Sequence, residues 1–160
     1  MIEESGFQGG GAIRVAIVVS RFNQAVTDNL LEGAMQAAAK YGVVVGDDDV
    51  FTVPGAFELP LVALAAARCP EYHAVVCLGA VIRGETPHFQ YVCEQAACGI
   101  REASLSTGKP IAFGVLTTDD LPQALARAGG DVGNKGYEAV VTVVETLEVL
   151  SRLQGHGLHS

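Results

Sequence analysis

At 160 residues, 49% apolar and only 18% charged, the chain is one domain's worth of sequence, able to bury roughly two-thirds of its unfolded surface without disulfide or metal staples. A net charge of −8, with ten Lys and Arg scattered in no basic run, excludes a nucleic-acid footprint, so any anionic ligand must be held by a local cluster. No apolar stretch reaches the length of a membrane span, and Met1 to Gly11 lacks the basic and apolar regions of a secretory leader, so a cytoplasmic protein without membrane contact is expected.

In chain order, residues 1–11, with Gly9-Gly10-Gly11, read as a flexible arm. Residues 12–20 (AIRVAIVVS) read as a buried strand, and 24–41 as a helix with an apolar stripe at Leu30, Leu31, Ala34, Ala37 and Ala38, ended by Gly42. Residues 49–53 are a second, shorter strand. Pro54-Gly55 turns the chain into a helix over 59–69, where Pro60 is tolerated because it falls in the first turn.

Residues 74–82 are the third strand, leading through Gly84-Glu85-Thr86-Pro87 into a helix over 88–106 that Thr107-Gly108-Lys109-Pro110 breaks. Thr86 suits the N-cap, Pro87 the first helical position, and Gly84 a close approach of backbone to ligand. A fourth strand over 111–116 and a short helix over 121–128 follow. A turn-rich connection then leads to a long helix over 135–153. The domain spans 12–154, and 155–160 read as a loose tail.

Strand and helix alternate four times, and the strands lack strict period-two alternation, so both faces of the sheet are covered. The predicted fold class is α/β: a single-domain, three-layer α/β/α sandwich of flavodoxin-like type around a four-stranded, mostly parallel sheet. In such sheets ligands bind beyond the carboxyl ends of the strands. The unusual segments fall there, at 20–23, 54–58, 83–88 and 114–120.

Each candidate site residue also has a plain structural explanation. Phe22, in a polar turn, would stack on a ligand or pack locally. Ala56-Phe57-Glu58 offers backbone donors, acceptors and a carboxylate to a polyhydroxylated chain, or simply starts a helix. Residues 84–88 form an anion site with a titratable imidazole at hand, or an ordinary capped helix. Arg127 and Lys135 are solvated charges or the cluster that a phosphate requires, where one charge-assisted Arg contact is worth about 1.5 to 3 kcal/mol. Cys69, Cys77, Cys93 and Cys98 form no C-x-x-C and read as reduced, mostly buried thiols, so no metal is expected. Neither G-x-x-x-x-G-K-[ST] nor G-x-G-x-x-G occurs, no Ser or Cys sits on a nucleophile elbow, and no acidic doublet follows the first strand.

Taken together, Arg21-Phe22-Asn23, VPGAFELP at 53–60, LGAVIRGETPHFQYV at 78–92, GVLTTDD at 114–120 and GNKGYEA at 133–139 resemble the 6,7-dimethyl-8-ribityllumazine synthase family of riboflavin biosynthesis, in the family's order and over about residues 12–153. The resemblance implies a transferase that condenses 5-amino-6-(D-ribitylamino)uracil with 3,4-dihydroxy-2-butanone 4-phosphate, without cofactor or metal. It implies that Phe22 stacks on the pyrimidine, that Ala56, Phe57 and Glu58 hold the ribityl chain, and that Ala80, Val81 and Ile82 line the ring site, with Phe113 as a wall. Glu85, Thr86 and Arg127 would bind the phosphate and His88 would move protons, with Asn23, Lys135 and Glu138 nearby. It further implies sites shared between neighbours in a homopentamer, with the region of Phe113, Arg127 and Lys135 coming from the adjacent chain. The short connection from Arg127 to Lys135 goes with the family's icosahedral shell of sixty subunits, for which riboflavin synthase is a candidate partner. The alternatives are a flavin or lumazine binding module without turnover and a flavodoxin-like electron carrier holding FMN.

Overall fold

The computed structural model describes residues 11–157. Four apolar runs become strands because β-branched side chains pack well on a pleated surface covered on both faces. They are β1 (Val15–Ser20), β2 (Val50–Val53), β3 (Ala74–Ile82) and β4 (Ile111–Thr118). They pair in the order β2-β1-β3-β4, and every pairing is parallel.

Helices cover both faces. On one, α1 (Gln24–Tyr41) and α5 (Lys135–Gly157) set Leu30, Ala34, Ala37, Val140 and Val143 against Ile17, Val76 and Leu78. On the other, α2 (Leu59–Ala67) and α3 (His88–Thr107) set Leu59, Ala63, Ala96 and Ile100 against Ala16, Val18, Val75 and Cys77. The three-layer flavodoxin-like sandwich expected from the sequence is therefore present. Gly42 and Gly108 end α1 and α3 in the left-handed conformation, both with φ of 70°, and their N–H groups bond back to Ala38 and Ser104.

Several expectations about caps and element ends are corrected, β1 starting at Val15 and α2 ending at Ala67 among them. Pro87, not Thr86, is the residue that caps α3: the Thr86 hydroxyl accepts only a long 3.4 Å bond from the His88 N–H, while the Pro87 carbonyl takes the Gln90 N–H at 3.0 Å. The helix read over 121–128 stops as α4 (Leu121–Ala126), because Ala128–Gly130 pairs antiparallel with Gly133–Asn134 as the small hairpin β5–β6. The fourth strand runs on to Thr118, carried by pairing with β3 out to Ile82. The loose tail is also too long, since α5 continues through Gly157: one Gly lowers helix propensity by about 1 kcal/mol, too little to end a helix already packed along the sheet. The arm at 1–10 and the tail at 158–160 lie outside the described residues.

The GNKG run locks α5 onto α1. The Asn134 side-chain oxygen accepts from the N–H groups of Gly136 and Tyr137 at 2.9 and 3.1 Å, and its amide donates to the Asn29 carbonyl at 3.0 Å. Gly136 lies so close to the Leu30 carbonyl that a Cβ there would collide with it.

Asp49 does not lead a strand but closes a single helical turn, its side chain only 2% exposed. It accepts from Arg14 at 2.9 Å, the Tyr72 hydroxyl at 2.7 Å and the Gly46 N–H at 2.8 Å. Burial pushes the Asp49 carboxyl up, but the bonds from Arg14, Gly46 and Tyr72 outweigh it, so its pKa lies below the usual carboxylate value. Burial and then Asp49 push Tyr72 up to about 12. A depressed folded pKa stabilises the fold above the unfolded carboxylate value near 3.9, and that stabilisation is lost as pH falls through the folded value. Asp49→Asn is therefore expected to flatten the loss of urea resistance as pH falls below about 4, and Asp49→Ala to destabilise the fold by about 2 kcal/mol at pH 7. An unchanged acid limb in Asp49→Asn would contradict this role.

Candidate active site

The carboxyl ends of β1, β2 and β3 open onto one rim. Beyond β1 the chain turns through Arg21 and Phe22, whose N–H groups donate to the carbonyls of Val53 at 2.8 Å and Pro54 at 3.2 Å. The first two loops are thereby tied together. Asn23 then enters α1 in the left-handed conformation with φ of 61°, which Asn tolerates better than most residues, and its amide donates to the Ala80 carbonyl at 3.4 Å. Beyond β2, Ala56–Glu58 forms one tight helical turn leading into α2. Beyond β3 come the exposed residues 83–88 and then α3.

Between these loops lies a cleft of about 600 Å³, lined by Phe22, Ala56–Glu58, Ala80, Val81, His88, Tyr91 and Val92 with Pro54 and Gly55. Its walls are mostly apolar, and Phe22, Phe57 and Tyr91 are 64%, 59% and 64% exposed. Aromatic faces left this open flank a space that a flat ring can fill by stacking. Glu58 sets a carboxylate at the mouth, and among the described residues no hydrogen bond engages the N–H groups of Gly84, Glu85 or Thr86. Free amides in the loop just ahead of a helix N-terminus favour an anion, and His88 borders both the amides and the cleft.

The structure thus brings together Phe22, Ala56, Phe57, Glu58, Ala80, Val81 and His88, with Glu85 and Thr86 just ahead of His88. Other expected site residues lie elsewhere. Asn23 braces the rim through Ala80, and Ile82 packs with the opposite, α1 and α5 side of the sheet. Phe113 is half-buried against the α2 and α3 side, well before the carboxyl end of β4. Arg127 leaves α4 with its guanidinium on the Gln123 carbonyl at 3.0 Å, and its own carbonyl accepts the Lys135 N–H at 2.9 Å. Lys135 and Glu138 are exposed on the first turn of α5, and none of these last four lines the cleft.

A sequence profile of 6,7-dimethyl-8-ribityllumazine synthase matches residues 12–151, nearly the whole described chain. The chain belongs to that family. Membership makes it an enzyme, a transferase in general terms, with lumazine synthase activity in riboflavin biosynthesis. The parallel sheet and flanking helices are the fold expected of the family.

Sequence reasoning missed Tyr91 and Val92 as cleft residues. The signal was present: three and four positions after His88 on one helix, they share its face. The four cysteines are free thiols but not mostly buried as expected: Cys69 and Cys93 are half-buried and Cys98 is exposed. Cys77 is buried in β3, and burial pushes its thiol up to about 12. Among the described residues no His, Cys, Asp and Glu cluster could hold a metal ion, and no helix is long and apolar enough to cross a membrane.

Proposed function

We propose that the cleft condenses 5-amino-6-(D-ribitylamino)uracil with 3,4-dihydroxy-2-butanone 4-phosphate to give 6,7-dimethyl-8-ribityllumazine, inorganic phosphate and water. The observation that carries this reading is the meeting, on one rim, of an open aromatic wall, an exposed imidazole and the free amides of the loop before α3. Phe22 stacks on the pyrimidine, with Ala80, Val81 and Ile82 along the ring, Ile82 through its backbone. Ala56, Phe57 and Glu58 hold the ribityl hydroxyls. The phosphate rests on the N–H groups at Glu85 and Thr86.

The pyrimidine's primary amine attacks the ketone, and loss of water forms an imine. A proton leaves the adjacent carbon, phosphate departs by elimination, and the resulting enol becomes a ketone. The ribitylamino nitrogen attacks that ketone, and a second water is lost on ring closure. Each step moves protons, which His88 relays at its imidazole, yet none needs an enzyme nucleophile. Holding two reactants together contributes up to about 7 to 11 kcal/mol, whereas a positioned acid–base group gives about 10² to 10⁴ in rate. Proximity dominates.

Among the described residues that line the cleft of a single chain there is no Lys or Arg, and a second copy supplies one. Arg127, with Lys135 and Glu138 beside it and Phe113 as a wall, faces the cleft of the neighbouring chain in a ring of five, and the rings build an icosahedral shell. Supporting this, Leu61 and Leu105 are 73% and 77% exposed, an apolar surplus that self-association covers.

Mixing both substrates tests the reaction. Lumazine absorbance should rise in step with free phosphate, and neither should appear with one substrate alone. Tight binding of lumazine or FMN without turnover would point instead to a binding module. Glu85 adds a smaller test, because its amide attracts phosphate while its exposed carboxylate repels it. Glu85→Ala is expected to lower KM for the four-carbon phosphate about two- to fivefold, and a rise would assign the carboxylate a contact of its own.

A further inference from the structure

Among the described residues, residues 84–88 make almost no hydrogen bonds to the rest of the fold, although they carry the free amides and the imidazole. Something else must hold them. Arg83, at the base of the segment, lies with its guanidinium carbon 4.5 Å from the centroid of the Phe89 ring, at the other end. The same guanidinium donates from Nε to the Asp119 carboxylate at 2.8 Å, and the Arg83 N–H donates to the Thr118 carbonyl at 2.9 Å. Asp119 is itself fixed, its N–H donating to the Gln123 side chain at 3.0 Å. One planar group thus joins the carboxyl end of β3, the loop after β4 and the first turn of α3. The Phe89 ring, partly buried against the core between β3 and α3, gives it a fixed face to lie on.

We propose that Arg83 is a positioning residue: by stacking on Phe89 and pairing with Asp119 it closes the base of the 84–88 loop, holding the loop amides and the His88 imidazole in place at the cleft. It rests on the roles proposed above for that loop and His88. Arginine is required because it alone combines a flat, permanently charged face for the ring with a directed N–H for the carboxylate. Lysine supplies only a point charge.

Arg83 and Asp119 side chains are 48% and 67% exposed, so Arg83→Met and Asp119→Asn should fold. Two readouts are needed. In the assembled protein, Arg83→Met should speed amide hydrogen exchange about five- to tenfold at Gln90 and Tyr91, whose N–H groups bond to the Pro87 carbonyl, and leave exchange in α1 and α5 unchanged. In steady-state kinetics it should raise KM for the four-carbon phosphate and lower kcat, each about five- to tenfold, with KM for the pyrimidine unchanged. Arg83→Lys and Asp119→Asn should fall between wild type and Arg83→Met. Phe89→Leu should match Arg83→Met, Phe89→Tyr should retain near wild-type values, and the double variant Arg83→Met/Phe89→Leu should be no worse than either single one. Unchanged exchange at Gln90 and Tyr91, or losses that multiply in the double variant, would overturn the clamp whatever the chemistry. Faster exchange with unaltered kinetics would overturn its role at the site, whereas a silent His88→Ala would refute the assignment of His88 and leave the exchange result standing.

Discussion

Arg127→Ala is expected to raise KM for 3,4-dihydroxy-2-butanone 4-phosphate by about 10- to 100-fold, while KM for the pyrimidine moves less than about threefold. A phosphate monoester carries nearly two negative charges at neutral pH, and a charge-assisted bond to it is worth about 1.5 to 3 kcal/mol. No other guanidinium is proposed for the phosphate, and the chain as a whole repels an anion with its net charge of −8. Equal rises for both substrates would count against a specific phosphate contact. Because Arg127 lies outside its own chain's cleft, the variant also tests where it acts. When Arg127→Ala and His88→Ala subunits are unfolded together and reassembled, about a quarter of the sites should combine an intact His88 with a neighbour's intact Arg127 and regain activity. Hybrids with no gain would place both groups in one chain's site.

His88→Ala is expected to lower kcat by about 10²-fold with modest changes in either KM, and to leave a rate well above that of the free substrates. The imidazole borders the cleft on the first turn of α3, within reach of a substrate seated against Phe22 and the 84–86 amides. A proton relay is its only proposed task, and the substrate brings its own nucleophilic amine. Removing the relay leaves both reactants held together, so the larger contribution of proximity survives. Complete loss of turnover in a folded variant that still binds both substrates would make His88 indispensable and overturn that division. The same logic disfavours a Schiff base at Lys135, and a protein adduct trapped by borohydride would reverse it.

The strands and the rim were legible because their signals are local. Buried β-branched runs mark β1 and β3, Gly42 and Gly108 mark helix ends, and the loops after parallel strands are where such sheets bind ligands. Less legible were features that depend on contacts remote in sequence. Asp49 reads as the first residue of a strand, yet bonds from Arg14, 35 positions away, and Tyr72, 23 positions away, hold it in a helical turn. Arg83 likewise pairs with Asp119, 36 positions on, and nothing in its neighbourhood announces the pairing. The hairpin at Ala128–Gly130 and Gly133–Asn134 was hidden because glycines that read as turn residues also allow a short antiparallel pairing. The Gly136 contact with Leu30 shows that a run read for its chemistry also serves packing.

The most direct measurement is a crystal structure of the assembled protein with a ribityl-bearing product analogue and orthophosphate bound. The analogue's ring should lie on Phe22 with its ribityl chain along Ala56–Glu58, and the phosphate should sit against the amides of Glu85 and Thr86, bonded to Arg127 of the adjacent chain. An analogue seated elsewhere, or phosphate absent from that turn with Arg127 directed away from it, would contradict the proposed site.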